Sequence, residues 1–127
     1  MFEKLDILRT AQAMAVHATQ RQNLIAQNVA NADTPGYRSR DLTSFEDAYA
    51  EASGEGMRAT RAGHLGAGSA SFVEEVEDDG SAMSPDGNSV SIEDEMVKSV
   101  GVQRQHNLAM TIYKTSLGIL RSSIGGA

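Results

Sequence analysis

From Leu5 to about Ala30 the chain carries neither glycine nor proline, and apolar or small side chains return at 3.5-type spacing: Ile7, Ala11, Met14, Ala18 and Ile25, flanked by Leu8, Ala15 and Val29. That period without breakers predicts one long amphipathic helix, over about residues 3–31. At 1.5 Å per residue, about 26 residues make a rod of roughly 40 Å, longer than a small globule can cover on every side. The seam alanines let a neighbouring helix approach closely. Arg21, Gln22 and Asn28 interrupt the seam with polar groups, which fix register at some cost in stability.

The other end of the chain reads the same way. Ser91 is placed to cap a helix, and Glu93, Asp94 and Glu95 put negative charge at the positive end of its dipole. The expected seam runs through Ile92, Met96, Gln103, His106, Met110, Tyr113, Leu117, Leu120 and Ile124, giving a helix over about 91–124. Gly101 and Gly118 are tolerated weak points, each costing about 1 kcal/mol relative to alanine where exposed.

Between the helices the pattern breaks down. The first helix must stop before Pro35, whose ring pushes the preceding residue out of the α region, and Pro35-Gly36 fits the two central positions of a type II turn, with Tyr37 as an apolar anchor beyond it. Seven of the twelve glycines fall between Gly54 and Gly87 among many serines and carboxylates, which predicts irregular chain. Only Ser71–Val76 and the neighbourhood of Met57 hint at extended pieces. The expectation is a single mainly α domain over 1–127: a helical hairpin or coiled coil of two long terminal helices, with a junction and a glycine-rich acidic insert over about 32–90.

Composition narrows the function. Alanine supplies 17 of the 127 residues and there is no Trp, so a thin core depends on partners to complete it. Without cysteine there is no disulfide framework and no thiolate metal site. The net charge of −6 divides into +1 over residues 1–44, −11 over 45–95 and +4 over 96–127, which gives nucleic acid no broad cationic footprint. The start of the chain is charged where a cleavable signal peptide is apolar, and no apolar run is long enough for direct membrane insertion.

Asn28-Val29-Ala30-Asn31-Ala32-Asp33-Thr34-Pro35-Gly36-Tyr37, at the end of the first helix, resembles the signature of the flagellar axial proteins, the rod and hook family. Ser84-Pro85-Asp86-Gly87-Asn88-Ser89-Val90 leading into Glu93-Asp94-Glu95-Met96, then Gln103-Arg104-Gln105-His106 and Tyr113-Lys114, resembles its basal-body rod members, and Ala59-Thr60 with His64-Leu65 adds a weaker likeness. The resemblance implies a non-enzymatic structural subunit of the proximal rod, in the periplasmic part of the flagellar basal body. It further implies export by the flagellar apparatus without a cleavable signal, and terminal helices that pair in the tubular wall of the drive shaft. The implied partners are other rod subunits and the rod-to-membrane-ring adaptor FliE, with no cofactor. Asn28, Asn31, Thr34, Pro35, Gly36 and Tyr37 become the expected assembly junction, and Ile7, Ala11, Met14, Ala18, Ile25, Met96, Met110, Tyr113, Leu117 and Leu120 the expected helix-packing residues.

Other chemistry finds little support. His17, His64 and His106 are far apart in sequence and lack metal-ligand spacing, although an antiparallel helix pair brings His17 and His106 to similar heights; the ordinary reading is polar residues in an interface or in solvent. Gly63–Gly68 has the glycine density of a phosphate loop without its Lys-Ser or Lys-Thr, and the acidic run around Glu74–Asp79 lacks the alternation of a calcium loop. No nucleophile elbow is present. The alternative function is a cytoplasmic helical-hairpin adaptor or chaperone, which needs the periodicity but not the Asn-Ala-Asp-Thr-Pro-Gly-Tyr junction.

Overall fold

The computed structural model describes residues 2–56, 76–78 and 80–125. Along the chain come α1 (Phe2–Ala30), β1 (Arg40–Leu42), α2 (Phe45–Gly56), β2 (Val76–Asp78) and α3 (Ile92–Gly125). The terminal helices match the bounds read from the sequence to within one residue. Their 29 and 34 residues make rods of about 44 and 51 Å. Ser91 caps α3 as expected, its Oγ accepting from Asp94 N at 3.4 Å and its carbonyl from Glu95 N at 3.0 Å.

α1 and α3 form an antiparallel hairpin. Hydrogen bonds link Asn28 to Glu95, Gln22 to Ser99 and His17 to Gln105, so numbers fall on one helix as they rise on the other. Ala11, Ala18 and Ile25 are buried at seven-residue spacing on α1, and Glu95, Val102 and Ala109 at the same spacing on α3. Seven-residue repeats on both partners are the mark of a coiled-coil seam. Ala18, Ile25 and Val102 meet at its centre.

The α1 seam agrees with the sequence pattern at Ala11, Ala18 and Ile25, with Met14 half-buried, but Ile7 is 47% exposed. On α3 the expected stripe is rotated. Met96 is 65% exposed, Ile92 and Ile124 also face outward, and Met110, Tyr113, Leu117 and Leu120 are half-buried beside the seam. The reason is that α3 has apolar residues on nearly every side, so a hydrophobic period fits several stripes. The stripe that packs is Glu95, Val102 and Ala109, a charge and two small side chains that let the helix backbones draw close.

The stretch read as irregular holds a further helix and a strand pair. Ser44 caps α2, its Oγ accepting from Asp47 N at 3.3 Å and donating to Asp47 Oδ2 at 2.7 Å. β1 and β2 pair antiparallel with Arg40 opposite Asp78 and Leu42 opposite Val76, and Arg38 Nε donates to Asp78 Oδ2 at 2.8 Å beside them. Val76 begins β2. The expected extended piece around Met57 is corrected on its near side, where α2 runs helical to Gly56; Met57 itself and Ser71–Glu75 lie outside the described residues, as do Gly63–Gly68 and His64.

Candidate assembly junction

α1 ends by tightening. Asn31 N reaches both Gln27 O and Asn28 O at 3.1 Å, Ala32 N reaches Val29 O at 3.2 Å, and Asn31 Nδ2 caps Gln27 O at 2.8 Å. The chain then reverses through Thr34–Tyr37, closed by Tyr37 N donating to Thr34 O at 3.3 Å, with Gly36 at φ +77°. Proline at the second position and positive φ at the third define a type II turn, as the sequence predicts. Tyr37 swings back so that its hydroxyl donates to Asn28 Oδ1 at 3.3 Å.

A second turn sits against the first. Gly87 N donates to Ser84 O at 2.9 Å and Gly87 has φ +83°. Gly36 N donates across to Asp86 O at 3.1 Å, and a Cβ added to Gly87 would lie 3.4 Å from Gly36 Cα. The next residue joins the turns: Asn88 Nδ2 donates to Asn31 O at 2.8 Å and Thr34 O at 2.7 Å, while its Oδ1 accepts from Val90 N at 2.7 Å. Two carbonyls of the segment that follows α1 each gain a second hydrogen bond in this way, from a side chain more than fifty positions away.

Beneath the turns lies a fully enclosed cluster of polar side chains. The largest fully buried side chains among the described residues are Glu95, Asn28, Asn88, Ser39 and Ser89. Asn28 treats Arg40 as a strand neighbour would, donating Nδ2 to its carbonyl at 2.8 Å and accepting its N–H on Oδ1 at 3.1 Å. The same Nδ2 donates to Glu95 Oε2 at 3.2 Å, while Glu95 Oε1 accepts from Ser39 Oγ and Lys98 Nζ, each at 3.2 Å. Ser39 N donates to Ser89 Oγ at 2.6 Å, and Ser89 N to Tyr37 O at 3.0 Å. Among the described residues no buried side-chain nitrogen or oxygen lacks a partner. A closed network of this kind admits one helix register, because any slip strands charge and amide groups out of water.

α1 also carries the chain onward from the junction. Arg21 grips Asp41 with two bonds, Nε to Oδ1 at 2.8 Å and Nη2 to Oδ2 at 3.0 Å. His17 Nε2 lies 2.8 Å from Thr43 O, so the ring proton belongs on Nε2, leaving Nδ1 to accept from Gln105 Nε2 at 3.3 Å. Phe45, at the start of α2, meets the His17 ring edge-on at 5.7 Å. His17 is therefore an interface residue whose α3 partner is Gln105 instead of His106.

The structure thus brings Asn28, Asn31, Thr34, Pro35, Gly36 and Tyr37 together in one place. Sequence reasoning missed Ser39, Gly87, Asn88, Ser89 and Glu95. Asn88 was hidden in an ordinary Asp-Gly-Asn turn signal, and Glu95 among three acids at a helix start. The available signal for Glu95 was its seven-residue spacing from Val102 and Ala109. No set of three or more His, Asp or Glu side chains is placed to hold a metal among the described residues, and no described helix is long and apolar enough to cross a membrane.

Two long helices pinned by a polar junction, with apolar side chains left on their outer faces, define a helical structural subunit. The family description "Flagella basal body rod protein" matches residues 8–38, which span the buried seam of α1 and the whole first turn. The chain is similar to the flagellar basal body rod protein FlgB of Agrobacterium fabrum, at 30% identity over 89% of this chain and 88% of that one. It is similar to that of Cereibacter sphaeroides at 38% over 91% and 85%, and to that of Salmonella typhimurium at 28% over 99% of both. The chain belongs to the FlgB family of flagellar basal body rod proteins, and is a structural subunit of the rod on which flagellum assembly and motility depend. It works in the flagellar basal body and assembles with other components there.

Proposed function

We propose that the subunit enters the rod wall by burying the outer faces of α1 and α3 against its neighbours, while the junction sets the angle at which the chain leaves α1. The observation that carries this reading is the outward side of α3, where Val97 is 73% exposed, Val100 62% and Leu108 53%. Large apolar side chains clustered on the outward side of a helix mark a contact surface, and α1 covers only the opposite side. That surface is covered by other subunits in a tubular wall. The same reading takes the chain through the flagellar export apparatus without a cleaved signal, places it in the periplasmic rod beside FliE and other rod proteins, and gives it no catalytic role.

The test is Val97→Asp combined with Val100→Asp, expressed in a strain lacking the native protein. Both positions face away from the hairpin, so the isolated variant keeps its helix content by circular dichroism. Export continues, rods do not form, and swimming is lost. Normal rods with both charges in place would show that this face is not buried in the assembly.

A further inference from the structure

We infer that the outer face of α3 around Arg104 receives α2 of a second copy of this chain, an inference that rests on the rod-subunit reading above and names one contact within it. α2 carries four carboxylates, Glu46, Asp47, Glu51 and Glu55, and no basic residue. Beyond Glu95, α3 carries Lys98, Arg104, Lys114 and Arg121 and no acidic residue. Arg104, Lys114 and Arg121 are exposed, as is Glu46 on the outer side of α2. Among the described residues no ion pair joins Glu46 or Asp47 of α2 to Arg104, Lys114 or Arg121 of α3.

Apolar surface accompanies the charge on both patches. Arg104 lies in a shallow groove lined by Ser99, Val100, Gln103 and Asn107, with exposed Val97 and Leu108 on the same outward side. α2 offers exposed Tyr49 and Ala50 beside Glu46, an aromatic and a small residue next to a carboxylate. Surface ion pairs add little affinity alone, but opposed charges flanking an apolar contact select the partner and its orientation. The two patches differ, so the contact is head-to-tail: each copy offers its α2 to one neighbour and its α3 to another. Contacts of that kind generate rings or helical tubes, whereas a self-matching patch closes a dimer.

The chain has no cysteine, so disulfide trapping is clean. One copy carries Ala50→Cys and the other Asn107→Cys, both at exposed positions, and the full-length chains are mixed and oxidised in 50 mM salt, then compared with isolated basal bodies built from both. The expected result is a dimer of the two chains, reduced at least five-fold by Arg104→Glu in the Asn107→Cys copy and restored by adding Glu46→Arg to the Ala50→Cys copy. A dimer insensitive to charge reversal, or a trapped partner of different mass in basal bodies, overturns the inference. If both cysteine copies incorporate into basal bodies without trapping each other, the contact is wrong and the rod reading stands. If neither copy is found in basal bodies while the native chain is, that overturns the use of these faces and with it the inference.

Discussion

Glu95 is the residue on which the two halves of the chain depend. Its carboxylate is 1% exposed and its partners Asn28 Nδ2, Ser39 Oγ and Lys98 Nζ are all donors. Glu95→Gln keeps the shape and replaces one acceptor with an amide that faces a donor. Leaving such a buried group unsatisfied costs about 1–3 kcal/mol, so the midpoint of urea unfolding followed by circular dichroism falls. An unchanged midpoint would show that the network is not under that constraint. Gly36 tests a different quantity. Space around its missing Cβ is open, so only the backbone conformation resists a side chain. Gly36→Ala should cost about 1 kcal/mol and Gly36→Asn less, since asparagine tolerates the left-handed region. Equal losses for both would point to a steric cause instead.

Among the elements, α1 and α3 were legible because length without glycine or proline, an N-cap and an acidic first turn are local signals. The face that α3 turns to α1 was not. The seven-residue spacing of Glu95, Val102 and Ala109 is one of several stripes on α3, and what selects it, the opposing alanines Ala11 and Ala18 and the amide of Asn28, lies on the other helix. α2 went unread although Ser44 and Asp47 carry its cap, because the glycines at 54 and 56 pull that stretch toward loop. The candidate site was half legible: the Thr34–Tyr37 turn follows from local chemistry, whereas Asn88 acts across more than fifty residues. Gly101 gives a prediction on α3. It is exposed and an added Cβ meets nothing, so Gly101→Ala should stabilise the isolated chain by about 0.5–1 kcal/mol through lower helix entropy cost. Thermal or urea unfolding reads this directly, and destabilisation would contradict a straight, exposed helix at that point.

On the scale of the whole molecule the division of labour is unusual for a small protein. Among the described residues apolar burial is thin, much of it alanine, while a polar knot whose members are fully buried joins the end of α1 to the start of α3. On the proposed reading such a subunit fixes its own geometry at one end of the hairpin and leaves the outer helix faces for its neighbours. In a repeating wall every copy repeats the same exit angle from α1, so a local error multiplies. A backbone strain of about 1–3 kcal/mol, as Gly36→Val imposes at positive φ, then appears as failed incorporation. Tyr37→Ala acts at the same place by removing the hydroxyl that reaches Asn28. The decisive measurement is the number of rod-bearing basal bodies isolated from a strain whose only copy of the protein carries Gly36→Val or Tyr37→Ala, with export of each variant confirmed. The account predicts normal export and few or no rods from either variant; rods at the native number from both would contradict the claim that the junction governs assembly.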